Sequence, residues 1–235
     1  MSECNAPQLR RFSLGGNAEF PLVGTFLLVI VGFVGLTTVS VLGLRLLSRH
    51  HSTPCPYWLA PLLENPYMNA VAGSGVILQR ARIQPGMAVL DVGAGPGRLS
   101  VPAAHLVGPA GRVVAFDVQP AMLARLQQAT ASAGVTNLQT VLGDAGKGSL
   151  PPGPFDRVLL VTVLGEIADQ RAALVEIFKL LKPGGLLSVT EVLPDPHYQS
   201  RRRVRRLAEG AGFEMTEVLG PWYAFTMNLR KPVVA

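Results

Sequence analysis

The run Asp91-Val92-Gly93-Ala94-Gly95-Pro96-Gly97 constrains the fold of this chain more than any other feature. Ala88 to Val92 reads as a short apolar strand, and a helix through Leu99 and Ala104 opens directly behind the glycines. Glycines at alternate positions let the backbone turn tightly and let a ligand approach closely, while a helix N-terminus offers free N–H groups and positive potential. Strand, Gly-rich turn and helix in that order are the parts of a parallel sheet with a binding crevice at its C-terminal edge. The dinucleotide form of the turn, GxGxxG, fails here because Arg98 stands where its last glycine or alanine belongs.

The alternation continues along the chain. Val71 to Arg82 predicts a helix, Arg112 to Phe116 a second strand, Pro120 to Ala131 a helix and Leu138 to Leu142 a third strand. Phe155 to Val163 is apolar for most of its length, as a central parallel strand should be. Gln170 to Leu181 predicts a helix stopped by Lys182-Pro183-Gly184-Gly185, with Leu186 to Thr190 as a fifth strand. Ser200 to Ala211 is a last helix, and Glu214 to Leu219 and Ala224 to Arg230 are two final strands. Strands alternating with helices place the chain in the α/β class, with helices on both faces of the sheet.

The glycine run resembles the acidic-x-Gly-x-Gly-x-Gly motif of class I S-adenosylmethionine methyltransferases. The resemblance extends to Asp117 at the end of the second strand, Gly143-Asp144-Ala145 after the third, and Leu180-Leu181-Lys182-Pro183-Gly184-Gly185 before the fifth. It covers about Gly86 to Pro232, and its nearest flavour is the small-molecule group that includes the ubiquinone/menaquinone methyltransferases. It implies a Rossmann-like, seven-stranded, mostly parallel sheet with the last strand antiparallel. S-adenosylmethionine would sit at the C-terminal strand edges. By the same resemblance Gly93, Ala94 and Gly95 would cradle the methionine end, with Gly97 also in the cofactor-binding turn and Asp91 orienting the amino group through the loop. Asp117 would hold the ribose, Val118 and Met122 would pack on the adenine, and Asp144 and Ala145 would read its edge.

Methyl transfer from a sulfonium needs mainly proximity and alignment, with a base only where the acceptor carries a proton. Glu166, after the fourth strand, is a candidate for that base or for a cap on the next helix. His197 and Tyr198, after the fifth, are catalytic candidates or packing residues. No Asn/Asp-Pro-Pro-Tyr/Phe motif follows the fourth strand, which argues against amino-group methylation of nucleic-acid bases by the usual architecture. The run Arg201-Arg202-Arg203-Val204-Arg205-Arg206 reads as the solvated face of a helix, or as a contact for anionic headgroups or phosphates. Cys4 and Cys55 have no metal-ligand spacing.

Phe20 to Leu44 carries no charged side chain. About 24 helical residues span roughly 36 Å, enough for a ~30 Å hydrocarbon core. The expectation is a polar tail at 1–19, a single transmembrane α-helix at 20–47, a Pro/aromatic connector at 48–68 and the catalytic domain at 69–235. Because the cofactor is made in the cytosol, that domain is expected to face the cytoplasm. The expected partners are the bilayer and a lipophilic small-molecule acceptor, with protein or RNA methylation and a non-catalytic scaffold as alternatives.

Overall fold

Apolar strands that alternate with helices bury both faces of a sheet, and in this protein seven strands form one such sheet. The computed structural model describes residues 69–233 apart from Val71 and Pro194, and the helical positions Thr25, Leu28, Val31, Gly32 and Gly35. The chain divides into two units, Met1–Leu44 and Arg45–Ala235. In the second unit the described elements are α1 (Ser74–Arg80), β1 (Ala88–Val92), α2 (Ser100–Val107), β2 (Arg112–Asp117), α3 (Pro120–Ser132) and β3 (Leu138–Leu142). They continue with β4 (Phe155–Val161), a 3-10 turn (Leu164–Glu166), α4 (Gln170–Leu180), β5 (Leu181–Val192), α5 (Arg201–Gly210), β6 (Glu214–Leu219) and β7 (Ala224–Arg230).

The strand order is β3-β2-β1-β4-β5-β7-β6. The five leading strands are mutually parallel, while β7 lies antiparallel to both β5 and β6. Alternate strand residues feed two cores. On one face Leu90, Val92, Leu160 and Val189 meet Leu174 and Ile177 of α4 and Val204 of α5. On the other, Val89, Val113 and Leu159 meet Ile77 of α1 and Ala103 and Val107 of α2, while Ala115 packs on Leu126 of α3. The arginine run lies on α5, whose Val204 and Ala208 are buried while Arg202, Arg205 and Arg206 face solvent.

Local chemistry sets the boundaries. Pro120 occupies the first turn of α3, where its missing N–H costs nothing. The Asp169 carboxylate caps α4 by accepting the N–H of Ala172 at 2.9 Å. The expected first helix, Val71 to Arg82, is Ser74–Arg80, and Arg82 beyond it adopts φ +55. The fourth strand stops at Val161 rather than Val163 because Thr162 also turns to φ +55. The expected break at Lys182-Pro183-Gly184-Gly185 falls inside β5. Leu181 leaves α4 to pair with Phe155, and the register resumes at Leu186 opposite Arg157. Lys182 bridges this bulge to Asp156 at 2.8 Å.

Among the described residues, no helix is long and apolar enough to cross a membrane. The longest described helix, α3, has 13 residues, about 20 Å at 1.5 Å per residue against a ~30 Å hydrocarbon core. The expectation of a single-pass membrane protein with a cytoplasm-facing catalytic domain is corrected accordingly. The buried apolar residues pack on the two faces of the sheet. The tail at 1–19, the connector at 48–68 and, apart from the five positions above, the span at 20–47 lie outside the described residues.

Leu159 is fully buried in the central strand. Leu159→Ala is expected to lower the free energy of unfolding by roughly 2–5 kcal/mol, as measured by urea denaturation.

Candidate cofactor site

Strand order reverses between β1 and β4, so the loops leaving their C-terminal ends diverge and open a crevice. The cleft there has a volume of about 380 Å³, within the ~300–1,000 Å³ range of small-molecule sites. Its walls are the glycine turn, the end of β2 with the start of α3, the loop after β3, and the end of β4.

The glycine turn is anchored on β2. The N–H groups of Gly93 and Ala94 both donate to the carbonyl of Phe116, at 2.7 and 3.1 Å. Gly95 N–H donates to Asp117 Oδ2 at 2.9 Å, and Gln119 N–H donates to Oδ1 at 2.8 Å. A carboxylate offers about four acceptor positions, so the 6%-exposed Asp117 keeps capacity for ligand hydroxyls at the cleft. Gly93 has φ +74, and an added Cβ would collide with the Val163 side chain. Gly95 has φ +54 and open space above it, as a backbone that must admit a ligand requires. Gly97 is closed off by Leu126, whose Cγ would lie 3.0 Å from an added Cβ.

Asp91 lies beneath this turn, 2% exposed, and accepts a 2.6 Å hydrogen bond from Ser100 Oγ. Burial pushes its carboxyl up to about 6; the Ser100 hydrogen bond and Arg98 oppose this, and the Asp117 charge adds to it. After β3, Gly143 packs so closely on Phe116 that an added Cβ would sit 2.6 Å from its ring. The Asp144 carboxylate pairs with Lys147 at 2.8 Å. Glu176 of α4 staples the loop by accepting the N–H groups of Gly146 and Gly148, at 3.3 and 2.6 Å.

Val161, Thr162, Val163, Glu166, Ile167 and Ala168 form the β4 side. Thr162 is β-branched, and its positive φ is a strained conformation of the kind that clusters at ligand sites. Its N–H donates to the Thr190 carbonyl at 2.8 Å, which ties the ends of β4 and β5 together. Because Asp169 caps α4, Glu166 is not the cap and instead borders the cleft.

The structure thus gathers Gly93, Gly95, Asp117, Val118, Met122, Asp144, Ala145 and Glu166 around one cleft. Asp91, Ala94 and Gly97 shape the turn without bordering it, and His197 and Tyr198 are also outside the lining. The Tyr198 hydroxyl donates to the Trp222 carbonyl, and its ring meets Phe225 edge-on at 6.1 Å. The strain at Thr162 and the Glu176 staple were missed in the sequence. A positive φ leaves no mark on a threonine, and a helix carboxylate does not announce which loop it will reach.

Two outcomes follow from this geometry. Asp117→Ala is expected to weaken S-adenosylmethionine binding roughly 10- to 100-fold in calorimetry, the loss of hydrogen bonds to a charged group. Asp91 stays protonated in the fold up to about pH 6 but ionises near 3.8 when unfolded. Its contribution to stability therefore falls as pH rises between those values, by roughly 3 kcal/mol in all. Asp91→Asn should unfold at higher urea than the parent protein at pH 7.5, and the difference should vanish near pH 4.

A family model described as a methyltransferase domain matches residues 83–216, more than half of the chain. The chain is 27% identical over 161 residues to a protein-L-isoaspartate O-methyltransferase of Ignicoccus hospitalis, covering 68% of this chain and 71% of that one. It is 36% identical over 115 residues to a ubiquinone/menaquinone biosynthesis C-methyltransferase of Ectopseudomonas mendocina, covering 48% of this chain and 45% of the relative. It is 34% identical over 113 residues to the nocamycin O-methyltransferase of Saccharothrix syringae, covering 48% and 40%. The chain thus spans less than half the length of these last two relatives. Among solved structures, an S-adenosylmethionine-dependent methyltransferase from Aquifex aeolicus superposes with a TM-score of 0.68 at 23% identity, covering 77% of this chain and 100% of that one. The [4+2]-cyclase SpnF superposes with a TM-score of 0.60 at 20% identity, covering 68% and 80%. At these identities the superpositions speak for the fold alone. The matched family model, the relatives and the cleft agree that the chain belongs to the methyltransferase-domain family and is a class I S-adenosylmethionine-dependent methyltransferase.

Proposed function

We propose that the protein transfers the methyl group of S-adenosylmethionine to a lipophilic small molecule: a quinone precursor, a phospholipid headgroup or a thiol. The observation that carries this reading is the β4 side of the cleft, where Val161, Val163, Ile167 and Ala168 surround a single carboxylate, Glu166. An apolar wall favours an apolar acceptor, and one carboxylate suffices to take a proton from a hydroxyl, thiol or activated carbon. The quinone and nocamycin methyltransferases named above support a small-molecule acceptor by likeness.

The cofactor, when bound, supplies a methyl group already activated for displacement. The chain's own residues then have three tasks. Asp117 accepts from the ribose hydroxyls with the oxygen capacity that Gly95 and Gln119 leave free. Val118, 43% exposed at the cleft, packs with Met122 on the adenine, and Asp144 and Ala145 read its edge. The open backbone at Gly95 admits the methionine end, with Gly93, packed on Val163, and Ala94 and Gly97 keeping the turn in shape. Alignment of the acceptor falls to the β4 side, and Glu166 removes its proton as the new bond forms.

A second reading, methylation of a protein carboxyl group, draws on the isoaspartate methyltransferase, which is matched over 71% of its length. Transfer of labelled methyl groups separates the two. The panel is a prenylated hydroquinone, a long-chain thiol, phosphatidylethanolamine in detergent and an isoaspartyl peptide. Label on one of the first three supports the proposal, and label on the peptide alone overturns it. With the acceptor so found, Glu166→Gln should lower kcat about 10²- to 10⁴-fold while leaving the cofactor Kd unchanged.

A further inference from the structure

Glu191, near the end of β5, is the one carboxylate among the described residues that combines near-complete burial with an oxygen lacking any partner. It is 1% exposed, and its Oε1 makes no hydrogen bond. Such an atom costs about 1–3 kcal/mol, so its retention calls for an explanation. Its neighbour Thr190 pairs in register with Val161, and the Thr190 carbonyl holds the N–H of Thr162, both of which border the cleft.

The other oxygen of Glu191 organises the loop between β5 and α5. Oε2 accepts the Gln199 N–H at 2.9 Å, and Gln199 Nε2 donates to the His197 carbonyl at 2.7 Å. That carbonyl abuts Gly165 so tightly that no Cβ would fit there, and Gly165 adjoins the cleft-lining Glu166. Two charged groups act on Glu191. The 3-10 turn brings Glu166, and the loop brings Asp195, whose carboxylate accepts the His197 N–H at 2.6 Å. Arg201 of α5 instead lays its guanidinium 5.3 Å over the ring of Phe225, the register partner of Glu191.

Burial pushes the Glu191 carboxyl well above the usual carboxylate range. The Gln199 N–H pulls it back, and the charges of Asp195 and Glu166 push it up again. The group is therefore neutral in the empty protein over a pH range where an exposed glutamate is charged. A cation in the cleft reverses the balance, because it stabilises the carboxylate and offsets the repulsion from Glu166 and Asp195.

We propose that Glu191 senses the charge of what occupies the cleft: it gives up its proton when the sulfonium S-adenosylmethionine binds, and keeps it when the neutral thioether S-adenosylhomocysteine binds. The two ligands share their adenosine, amino and carboxylate groups and differ by a methyl group and one positive charge, so the difference between them isolates the sulfonium. The proton balance is one proton to solvent for each S-adenosylmethionine bound and one taken back when the product remains. The consequence is selectivity for cofactor over product, which grows with pH and assists product release. Glu191 is a specificity-determining residue that acts beside the cleft rather than in its lining. The inference rests on the cofactor's binding in this cleft, and not on the identity of the methyl acceptor.

Titration calorimetry of the full chain, in buffers of different ionisation enthalpy between pH 6 and 9, measures the protons released by each ligand. The expected result is release with S-adenosylmethionine and none with S-adenosylhomocysteine. The ratio of their Kd values should shift toward the cofactor by at most about tenfold per pH unit, the limit for one linked proton. Glu191→Gln should abolish both effects while still binding each ligand. Infrared difference spectra of the unmutated protein give a second readout that needs no variant. A buried carboxylic-acid carbonyl band should disappear with S-adenosylmethionine and persist with S-adenosylhomocysteine. Equal proton release for both ligands, or release that survives Glu191→Gln, would overturn the proposal. So would release abolished by Asp91→Asn instead, since Asp91 is the other buried carboxyl near the turn. If neither ligand bound, the cofactor site itself would fall and this inference with it; S-adenosylmethionine binding without proton release sinks this inference alone.

Discussion

Three consecutive amides of the glycine turn, those of Gly93, Ala94 and Gly95, are held by two adjacent residues at the end of β2, and the site depends on that attachment. The Phe116 carbonyl accepts the first two, and the Asp117 carboxylate accepts the third. A turn with positive φ at alternate residues has many conformations open to it, and these bonds select one. They also join the two ends of the cofactor cleft: the residue expected to meet the ribose is the residue that fixes the backbone expected to meet the methionine end. A change at Asp117 therefore acts on both.

Around that attachment the sheet supplies rigidity and the loops supply function. The central strands are buried on both faces and held by parallel ladders, which fixes where their ends place the loops. Polar groups are rare inside and concentrate near the cleft edge: Asp91 with Ser100, Thr190 with Thr226, and Glu191 with the Gln199 N–H. Asp91 and Glu191 both carry raised carboxyls, one beneath the glycine turn and one behind the β4 wall. Asp91 directly precedes the cleft-lining Val92, and the charge of the cleft-lining Glu166 acts on Glu191, so both acids offer a physical basis for coupling charge to occupancy.

Much of the framework was legible because it rests on short-range rules. Apolar runs of strand length separated by helical patterns marked all seven strands, several of them to the residue. Asp117 was singled out by the resemblance to the methyltransferase motifs, and the fold places it in the lining of the cleft. The boundaries that shifted did so for tertiary reasons. Leu181 joins β5 because it pairs with Phe155, and Val163 leaves β4 because Thr162 turns to φ +55 just after the last ladder pair. Glu166 had two readings in the sequence, and in the fold Asp169 caps α4 while Glu166 borders the cleft. His197 and Tyr198 were placed on the correct loop, but their contacts turn to Gly165 and Trp222 rather than to the cleft. The expected membrane-spanning arrangement rested on the apolar length and its flanks, and no described helix is long and apolar enough to cross a membrane.

By itself the sequence determined the α/β class and the position of the glycine turn, since these follow from the periodicity of apolar residues and from the φ angles that only glycine adopts freely, while the cofactor was implied by the resemblance of that turn and its companion motifs to class I methyltransferases. The tertiary structure decided which side chains face a common space. A carboxylate's role depends on what buries it and what donates to it, and those partners lie far along the chain. Glu191 is the clearest case: in the sequence it is one acidic residue at a strand end, while in the fold the Gln199 N–H, the neighbouring Glu166 and Asp195, and the loss of water give it a different proton affinity.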